Sequence, residues 1–318
     1  MSGARGSTGP AAPPTSRIAV AVVSYNTREL LRACLASAIA DGAAEVVVVD
    51  NASTDGSPAM VRADFPGVAL VDDRGNLGYG AASNVALAHC TAEHVLLLNA
   101  DTVVHPGALE TLRLYLDAHP GVGMAGPLLL DPDGTTQASV FPFPGTLGWL
   151  VENDPVAPLA GLVPPLRRRM LRFAPPAAPA AVPWVLGAAL AIRRAAFDAV
   201  HGFDPSFFMY FEEVDLARRL ASAGWETHVV PTARVTHVGG ASTSQVRVGM
   251  LVQHFRSTNH FYRRHYRGPR LAAWLAVMRA KMLLRIARDA AALAVRPAER
   301  PMRRERLVAW RAALRDGR

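Results

Sequence analysis

The sequence predicts an α/β fold, in which a mostly parallel sheet is flanked by helices and a helical, basic extension follows. Of the 318 residues 50% are hydrophobic and 19% are charged, which is enough for a full-sized core. Four short apolar runs are typical of strands that are buried on both faces. Helical patterns separate them, and strands that alternate with helices indicate a parallel sheet. The four runs are Ile18–Ser24, Glu45–Asp50, Val68–Val71 and His94–Asn99.

Helices are predicted between and after these strands. Leu31, Leu35 and Ile39 recur at helical spacing and predict one buried stripe on a helix over residues 28–40. Val85 and Ala88 predict a weaker stripe on a helix over residues 81–89. A further helix is expected over residues 107–118.

The second half of the chain is less regular. The Pro-rich stretch 131–183, which holds three consecutive arginines at 167–169, is expected to be a loop-rich insertion. A strand is expected over 184–192 and a short helix over 195–200. A longer helix begins near Phe211 and ends at Gly224, and Asp215 and Arg219 are expected to pair on its outer face.

The N-terminus and the cysteines indicate the compartment. Residues 1–16 are small and rich in Gly, Pro and Ser, so we expect a flexible leader and no signal peptide. Cys34 and Cys90 form neither a CxxC motif nor a Cys/His cluster. This argues against a disulfide scaffold or a zinc site and favours a reducing cytosol.

The net charge of +8 is concentrated near the C-terminus. From Gly268 onward there are thirteen basic and four acidic residues, which leaves 21 basic and 22 acidic residues before it. Basic residues interrupt the apolar positions of 270–295, so no membrane span is predicted. Packing against the domain and lying on an anionic membrane are both open for this segment. Nucleic acid is not expected as a partner.

Polar residues follow three of the predicted strands, where a parallel sheet binds its ligands. Each residue taken alone fits a turn or a helix cap. Together they indicate a crevice that binds a nucleotide. These residues are Ser24, Tyr25, Asn26, Asp50, Asn51, Asn99 and Asp101.

Three groups carry candidate chemistry. Asn99 and Asp101 are two residues apart and predict a site for a hard cation that also binds phosphate oxygens. Glu212 and Glu213 follow an aromatic segment, where desolvation raises a carboxyl pKa toward the range of a general base. The dipole of a helix also favours acids in its first turn. His237 precedes two glycines and is a candidate for an open metal position.

In this order, the motifs resemble the family 2 glycosyltransferases, enzymes of the GT-A fold, and in particular a rhamnosyltransferase-like branch. The resemblance covers about residues 17–265. Its motifs are VVSYN (22–26), VVVDNASTDGS (47–57), NLGYGAASN (76–84), LLLNAD (96–101), GFDPSFFMYFEEVDL (202–216) and PTARVTHVGG (231–240).

The resemblance implies an inverting transfer of a sugar from a dTDP- or UDP-sugar, with Mg²⁺ or Mn²⁺, to a glycan, lipid-linked or small-molecule acceptor. It implies a nucleotide-sugar half over residues 17–120, an acceptor and catalytic half over 121–265, and an extension over 266–318. The implied roles are the following: donor binding by Ser24, Tyr25, Asn26, Asp50, Asn51, Asn76, Gly78, Asn84 and Asn99; metal binding by Asp101 and His237; base catalysis by Glu213 or Glu212; and the acceptor side by Trp184, Gly187 and Asp215.

Two departures from the family pattern keep alternatives open. Asn99 stands where many relatives have the first Asp of a DxD motif, and Glu213 replaces the commoner Asp, so Glu212 and Asp215 remain candidate bases. An NAD-dependent oxidoreductase is disfavoured because the Gly75–Gly80 loop does not follow the first strand, and a GxxxxGK[ST] motif is absent from the sequence. A basic membrane- or nucleic-acid-binding protein with a degenerate transferase domain is the remaining alternative.

Overall fold

The computed structural model of the protein describes residues 18–145, 175–240, 247–295 and 300–316. The expected leader (1–16) and the arginines at 167–169 lie outside the described residues, as does most of the expected insertion.

The first half of the chain alternates strands with helices, as the apolar runs predict. Its elements are β1 (Ile18–Ser24), α1 (Arg28–Ala40), β2 (Glu45–Asp50), α2 (Ser57–Asp64), β3 (Ala69–Val71), α3 (Tyr79–His89), β4 (His94–Asn99), β5 (Thr102–Val104) and α4 (Ala108–Ala118).

The second half adds short strands and the C-terminal helices. Its elements are β6 (Val122–Leu130), β7 (Val140–Phe141), β8 (Ala180–Ala181), β9 (Trp184–Val185), β10 (Ala189–Arg193), α5 (Arg194–Ala199), α6 (Glu212–Ser222), β11 (Glu226–His237), α7 (Arg247–His265), α8 (Gly268–Val295) and α9 (Arg300–Asp316).

The main sheet has the order β3-β2-β1-β4-β10-β6-β11-β5, and β8 pairs with β11 at the side. The strands β3, β2, β1 and β4 are parallel, whereas β10 runs antiparallel to both β4 and β6. β11 is parallel to β6, and β5 is antiparallel to β11. The prediction of a mostly parallel α/β sheet is confirmed.

Helices cover both faces of this sheet because its central strands are apolar on both sides. One core contains Leu31 and Leu35 of α1 and Leu112 of α4, together with one face of β1 and β4. The other core contains Ala82 of α3 and Leu216 of α6, together with the opposite face of the sheet.

Several local expectations were wrong. Ile39 is 46% exposed, because α1 buries Cys34 and Ala38 beside Leu31 and Leu35. Ala88 is exposed because α3 turns Ala82, Ala86 and Leu87 inward. The strand expected over 184–192 is two strands: β9 pairs with β7 in a separate small sheet, and β10 lies in the main sheet.

Both cysteines are free, and burial raises the pKa of Cys34 and of Cys90 to about 12. Each thiol is therefore protonated at neutral pH and packs as a small apolar group.

The C-terminal helices pack on the domain and form a third core. Trp274 of α8 stacks on Tyr262 of α7 with ring centroids 4.2 Å apart, and Met278 and Met282 are buried beside it. This core also includes Val214 of α6. The packing expected for segment 270–295 is thus observed on one face of α8. Among the helices of the described residues, none combines the length and continuous apolar character that a membrane crossing requires.

Candidate active site

A cavity of about 310 Å³ opens beyond the carboxyl ends of β1, β2 and β4. This is the edge where an open α/β sheet binds its ligands, and the volume lies within the range of small-molecule sites. Six predicted site residues line it: Ser24, Tyr25, Asn51, Asn76, Asn99 and Asp101. The opposing wall is largely apolar and consists of Tyr79, Phe208, Met209 and Met250.

Asp101 and His237 face each other at this edge. The antiparallel pairing of β11 with β5 sets His237 opposite Thr102, directly beside Asp101. His237 Nε2 lies 3.5 Å from Asp101 Oδ1, and both residues are buried. The sheet pairing therefore brings together two residues that are 136 positions apart.

Gln137 fixes the orientation of this histidine. Its Oε1 lies 2.7 Å from His237 Nδ1, while its Nε2 donates to Asp131 Oδ1 (2.7 Å) and to the His237 carbonyl (3.3 Å). With Oε1 so placed, the Nδ1–H group donates to Gln137, and this hydrogen bond directs Nε2 toward Asp101. The sequence analysis missed Gln137, because it lies in the stretch that was expected to be a loop-rich insertion.

Asp101 and His237 fit a hard divalent cation whose coordination shell is completed by oxygen atoms of the substrate. The described residues contain no group of three or more His, Cys, Asp or Glu side chains placed to hold a metal. Mg²⁺ and Mn²⁺ sites for phosphates commonly use one or two protein ligands and fill the remaining positions with phosphate oxygens and water. Adjacent ligands of an octahedral ion lie about 3 Å apart, close to the 3.5 Å between Asp101 and His237.

Glu212 and Glu213 begin α6, and both carboxylates are shielded from solvent. Burial raises the pKa of Glu212 well above its ordinary value, and the charge of Glu213 raises it further. Burial also raises the pKa of Glu213, although hydrogen bonds from the backbone N–H groups of Glu213, Gly187 and Val214 offset part of this effect. The Oε2 atom of each glutamate is buried and has no hydrogen-bond partner among the described residues.

Tyr79 connects the Glu213 carboxylate with the cavity. Its ring lines the cavity, and its hydroxyl donates to the Gly187 carbonyl at 2.9 Å. A Cβ placed on Gly187 would lie 3.4 Å from the carboxyl carbon of Glu213, so the carboxylate packs directly on this glycine. Burial, followed by the charges of Glu212, Glu213 and Asp101, raises the pKa of the Tyr79 phenol. The charges of both glutamates and of Asp101 therefore act on this one tyrosine, which was predicted only as part of a motif.

The turn before α6 is held in a strained conformation. Tyr210 and Phe211 have φ of 69° and 70°, the left-handed region that L side chains rarely adopt. Ser257 of α7 donates to the Met209 carbonyl at 2.7 Å, and the His254 ring packs edge-on against Tyr210 and Phe211. The α7 helix thus fixes the turn that positions both glutamates.

A family model described as "Glycosyltransferase like family 2" matches residues 13–259 of the chain. The chain belongs to this family.

Curated relatives agree with this assignment. The N-acetylglucosaminyl-diphospho-decaprenol L-rhamnosyltransferase of Mycobacterium tuberculosis is 33% identical over 310 residues, which cover 92% of this chain and 97% of the relative. The rhamnosyltransferase WbbL of Escherichia coli is 41% identical over 56 residues, 18% of this chain and 21% of that protein.

Solved structures of two glycosyltransferases show the same GT-A fold. The mannosyltransferase PcManGT from Pyrobaculum calidifontis, in complex with GDP-Man and Mn²⁺, superimposes with a TM-score of 0.54 at 19% identity, over 96% of this chain and 89% of that chain. GalNAc-T7 with UDP, GalNAc and Mn²⁺ gives a TM-score of 0.54 at 17% identity, over 76% of this chain and 47% of that chain.

Several polar residues of the glycosyltransferase motifs hold loops together. The Asn26 carboxamide oxygen accepts the Thr54 N–H at 2.7 Å, which joins the loops after β1 and β2. Asn84 donates to the Phe203 carbonyl (2.8 Å) and accepts from the Phe203 N–H (2.9 Å), and it is not among the cavity-lining residues. Both asparagines therefore use their side chains to hold backbone segments of the motifs in place.

Asn51 and Gly78 set the position of the glycine loop. Asn51 accepts from the Leu77 N–H and donates to the Gly78 carbonyl, each at 3.2 Å, and its side chain also lines the cavity. Gly78 has φ of 80°, and a Cβ there would lie 2.2 Å from the Phe208 carbonyl oxygen. Only glycine lets this loop approach the wall so closely.

Asp50 has one carboxylate oxygen bound and one open. Its Oδ2 accepts from the Ser53 N–H at 2.7 Å, whereas Oδ1 has no hydrogen-bond partner among the described residues. Burial raises the pKa of this carboxyl, and the hydrogen bonds of Ser53 oppose the shift. Asp50 is not among the residues that line the cavity, and a carboxylate oxygen left without a partner suits a hydroxyl or N–H group.

The polar groups of Asp215 and Trp184 are bound by neighbouring protein groups. The expected pair of Asp215 with Arg219 forms at 2.6 Å, but the aspartate is fully buried, so its expected place on the outer face was wrong. Its other carboxylate oxygen contacts His265 and Arg264. The Trp184 indole N–H donates to the Pro142 carbonyl, and the ring stacks on Phe141.

Proposed function

We propose that this enzyme is an inverting, metal-dependent glycosyltransferase that moves rhamnose from a dTDP- or UDP-sugar to a hydroxyl of a lipid-linked glycan. The observation that carries the proposal is that two candidate catalytic acids lie on neighbouring parts of one cavity wall or pack against it. Asp101 lines the cavity at the strand ends. The Glu213 carboxylate is not among the lining residues, but it packs on Gly187, whose carbonyl accepts a hydrogen bond from the cavity-lining Tyr79.

The donor half of the site binds through its strand-end side chains. Tyr25, Asn51 and Asn76 line the cavity where the nucleoside lies in this proposal, and Asp50 offers its open oxygen to the ribose. The Asp101–His237 pair supplies ligands for Mg²⁺ or Mn²⁺ beside the diphosphate. When bound, that ion neutralises charge on the departing diphosphate, which is worth several kcal/mol in comparable sites.

Glu213 then acts as the general base. Its raised pKa makes it a stronger base than an exposed glutamate. Its Oε2 is buried and has no hydrogen-bond partner among the described residues, and in this proposal the acceptor hydroxyl reaches that oxygen when the substrates are bound. The deprotonated oxygen attacks the anomeric carbon as the bond to the diphosphate breaks. A single displacement of this kind inverts the anomeric configuration.

The comparisons support the choice of sugar and acceptor. The name of the Mycobacterium tuberculosis relative gives L-rhamnose as the sugar and an N-acetylglucosaminyl-diphospho-decaprenol as the acceptor. The apolar cavity wall of Phe208, Met209 and Met250 suits the methyl group of a 6-deoxy sugar. Free cysteines are typical of a reducing compartment. With a membrane-linked acceptor, they support a transfer reaction at the cytoplasmic face of the membrane.

The test is transfer from dTDP-L-rhamnose to a short-chain N-acetylglucosaminyl-diphospho-prenol, with Mn²⁺ or Mg²⁺ and a panel of other dTDP- and UDP-sugars in parallel. We expect Asp101→Ala to lower turnover by roughly 100-fold or more, since several kcal/mol of leaving-group stabilisation is lost. The matched control is Asp198→Ala, at an exposed aspartate of α5. Near-normal turnover of Asp101→Ala would refute the assignment of the metal ligand, and transfer of another sugar would correct the donor.

A further inference from the structure

The exposed face of α8 has an unusual composition for a surface helix. Among its described side chains, the exposed positions hold seven alanines, the two leucines Leu283 and Leu284, and the arginines Arg270, Arg279 and Arg288, with no acidic residue. Leu283 is 55% exposed and Leu284 is 67% exposed. A surface helix of a soluble protein normally turns charged and polar residues toward water.

The opposite face of α8 fixes the helix in place. Trp274, Met278 and Met282 are buried, and the Arg285 guanidinium lies 4.8 Å from the centroid of the Trp310 ring. Asp289, the acidic residue of α8, is fully buried and bound by Arg303 and by the Trp310 N–H. Burial of this carboxylate removes the negative charge from the exposed face, which is therefore both apolar and positive.

From these observations we infer that the exposed face of α8 docks on an anionic lipid bilayer, with the helix axis in the plane of the membrane. A helix of 28 residues is about 42 Å long, and its arginines interrupt the apolar stretches, so it lies on the bilayer and does not cross it. The leucines and alanines enter the acyl boundary, and the arginines contact lipid phosphates.

Charge selects the bilayer over a second copy of the chain. A symmetric dimer through this face would bring the arginines of both copies together, with no exposed acid of α8 to neutralise them. Nucleic acid would meet the arginines but would leave Leu283 and Leu284 without an apolar environment. An anionic membrane satisfies both features.

The α9 helix adds further apolar and basic side chains beside α8, together with one exposed acid, Glu305. Met302 is 40% exposed and Val308 is 63% exposed, and Arg304 and Arg311 are exposed on the same helix. Because α7 contributes Met250 to the cavity and packs with α8 in one core, the docked surface is joined to a wall of the active site. The inference deepens the proposed function, since it names the surface on which a lipid-linked acceptor is met.

The experiment is cosedimentation of the full chain with vesicles of phosphatidylcholine alone or with 30% phosphatidylglycerol. The test variant is Leu283→Glu/Leu284→Glu. The control is Leu114→Glu, which places one such charge at a 52% exposed leucine of α4. A second variant, Arg279→Gln/Arg288→Gln, removes charge and keeps both leucines.

We expect the wild type to bind the anionic vesicles and Leu114→Glu to bind equally well. The leucine variant should bind roughly 100-fold more weakly, about tenfold for each side chain that no longer enters the bilayer. The arginine variant should lose roughly 25-fold, about fivefold for each charge, and high salt should weaken the wild type similarly.

Four results would overturn the inference. The first two are no binding of the wild type to anionic vesicles and equal binding by the leucine variant. The others are a wild-type dimer that the leucine substitutions turn into a monomer without any vesicle binding, and preference for a DNA duplex over vesicles. Sugar transfer to a short-chain, water-soluble acceptor separates this inference from the proposed function. The rate of this transfer should be unchanged in the leucine variant. If the wild type does not catalyse the transfer but still binds anionic vesicles, only the proposed function fails.

Discussion

The isosteric variants Glu213→Gln and Glu212→Gln test which of the two adjacent glutamates of α6 is the general base. Removing a general base typically lowers the rate by about 10²–10⁴-fold, or about 2.7–5.5 kcal/mol of transition-state stabilisation. We expect that loss in kcat for Glu213→Gln. Burial and then the charge of Glu213 raise the pKa of Glu212 and so favour its neutral form, which the neutral amide of Glu212→Gln resembles. Its kcat should stay within about tenfold of the wild type.

Stability should respond to the same substitutions with a defined sign. An unfolded glutamate has a pKa of about 4.3, and burial raises the pKa of Glu212 in the folded state well above its ordinary value. Between these two values the unfolded chain binds fewer protons than the folded one, so the stability of the wild type falls as the pH rises. Glu212→Gln removes this penalty. The gain in melting temperature of this variant over the wild type should therefore grow from pH 5 to pH 8.

The assay is the initial rate of nucleoside diphosphate release and of glycan product between pH 5 and pH 9, with thermal melts in the same buffers. Wild-type kcat should rise with pH as Glu213 loses its proton, with a midpoint above the ordinary glutamate value because burial raises this pKa. If Glu213→Gln keeps its kcat within tenfold of the wild type while Glu212→Gln is inactive, the two roles are reversed. A melting gain that shrinks with rising pH would contradict the electrostatic argument.

Three further substitutions test how the site is held. Tyr79→Phe removes a buried hydrogen bond worth about 1–3 kcal/mol, so kcat should fall about 5- to 100-fold with little change in the donor KM, and an unchanged kcat would leave Tyr79 without a positioning role. Gly78→Ala should lower the melting temperature more than Gly75→Ala, because both have positive φ but only the former brings a Cβ to 2.2 Å from a carbonyl oxygen; equal melts would contradict the close approach. Asp215→Ala should cost about 3–5 kcal/mol at pH 7, since it removes the fully buried carboxylate that pairs with the largely buried Arg219 and contacts His265. Burial alone would raise the pKa of Asp215, but hydrogen bonds from His265 and Arg219 and the charges of Arg219 and Arg264 hold it below its ordinary value, so denaturant melts should show this advantage shrinking below about pH 4; a constant difference would refute it.

The sequence predicted the first half of the chain well, because the strands and helices there follow from local apolar patterns. β1, β2 and β4 have the predicted bounds, since each is a run of branched or leucine side chains that both faces of a sheet can bury. The antiparallel insertion of β10 between β4 and β6 could not be predicted, because short apolar segments do not specify their partners. The helix α7 was missed because charged and polar residues interrupt its apolar positions.

The candidate site was predictable in its residue types but not in its contacts. Asp101 and His237 stand in motifs, and the sheet register that joins them is a tertiary property. The sequence does not distinguish an asparagine that lines a cavity, such as Asn51, from one whose amide is used by backbone groups, such as Asn84. The supporting role of Gln137 depends on its hydrogen bonds alone.

The most direct test of the central idea is crystallographic, with crystals grown in a nucleoside diphosphate and Mn²⁺ and data collected at the manganese edge. We predict an anomalous peak between Asp101 Oδ1 and His237 Nε2, in contact with the diphosphate and in the cavity that Tyr79 lines. A bound nucleotide whose manganese peak lies away from both residues, or a nucleotide bound elsewhere on the molecule, would contradict the account.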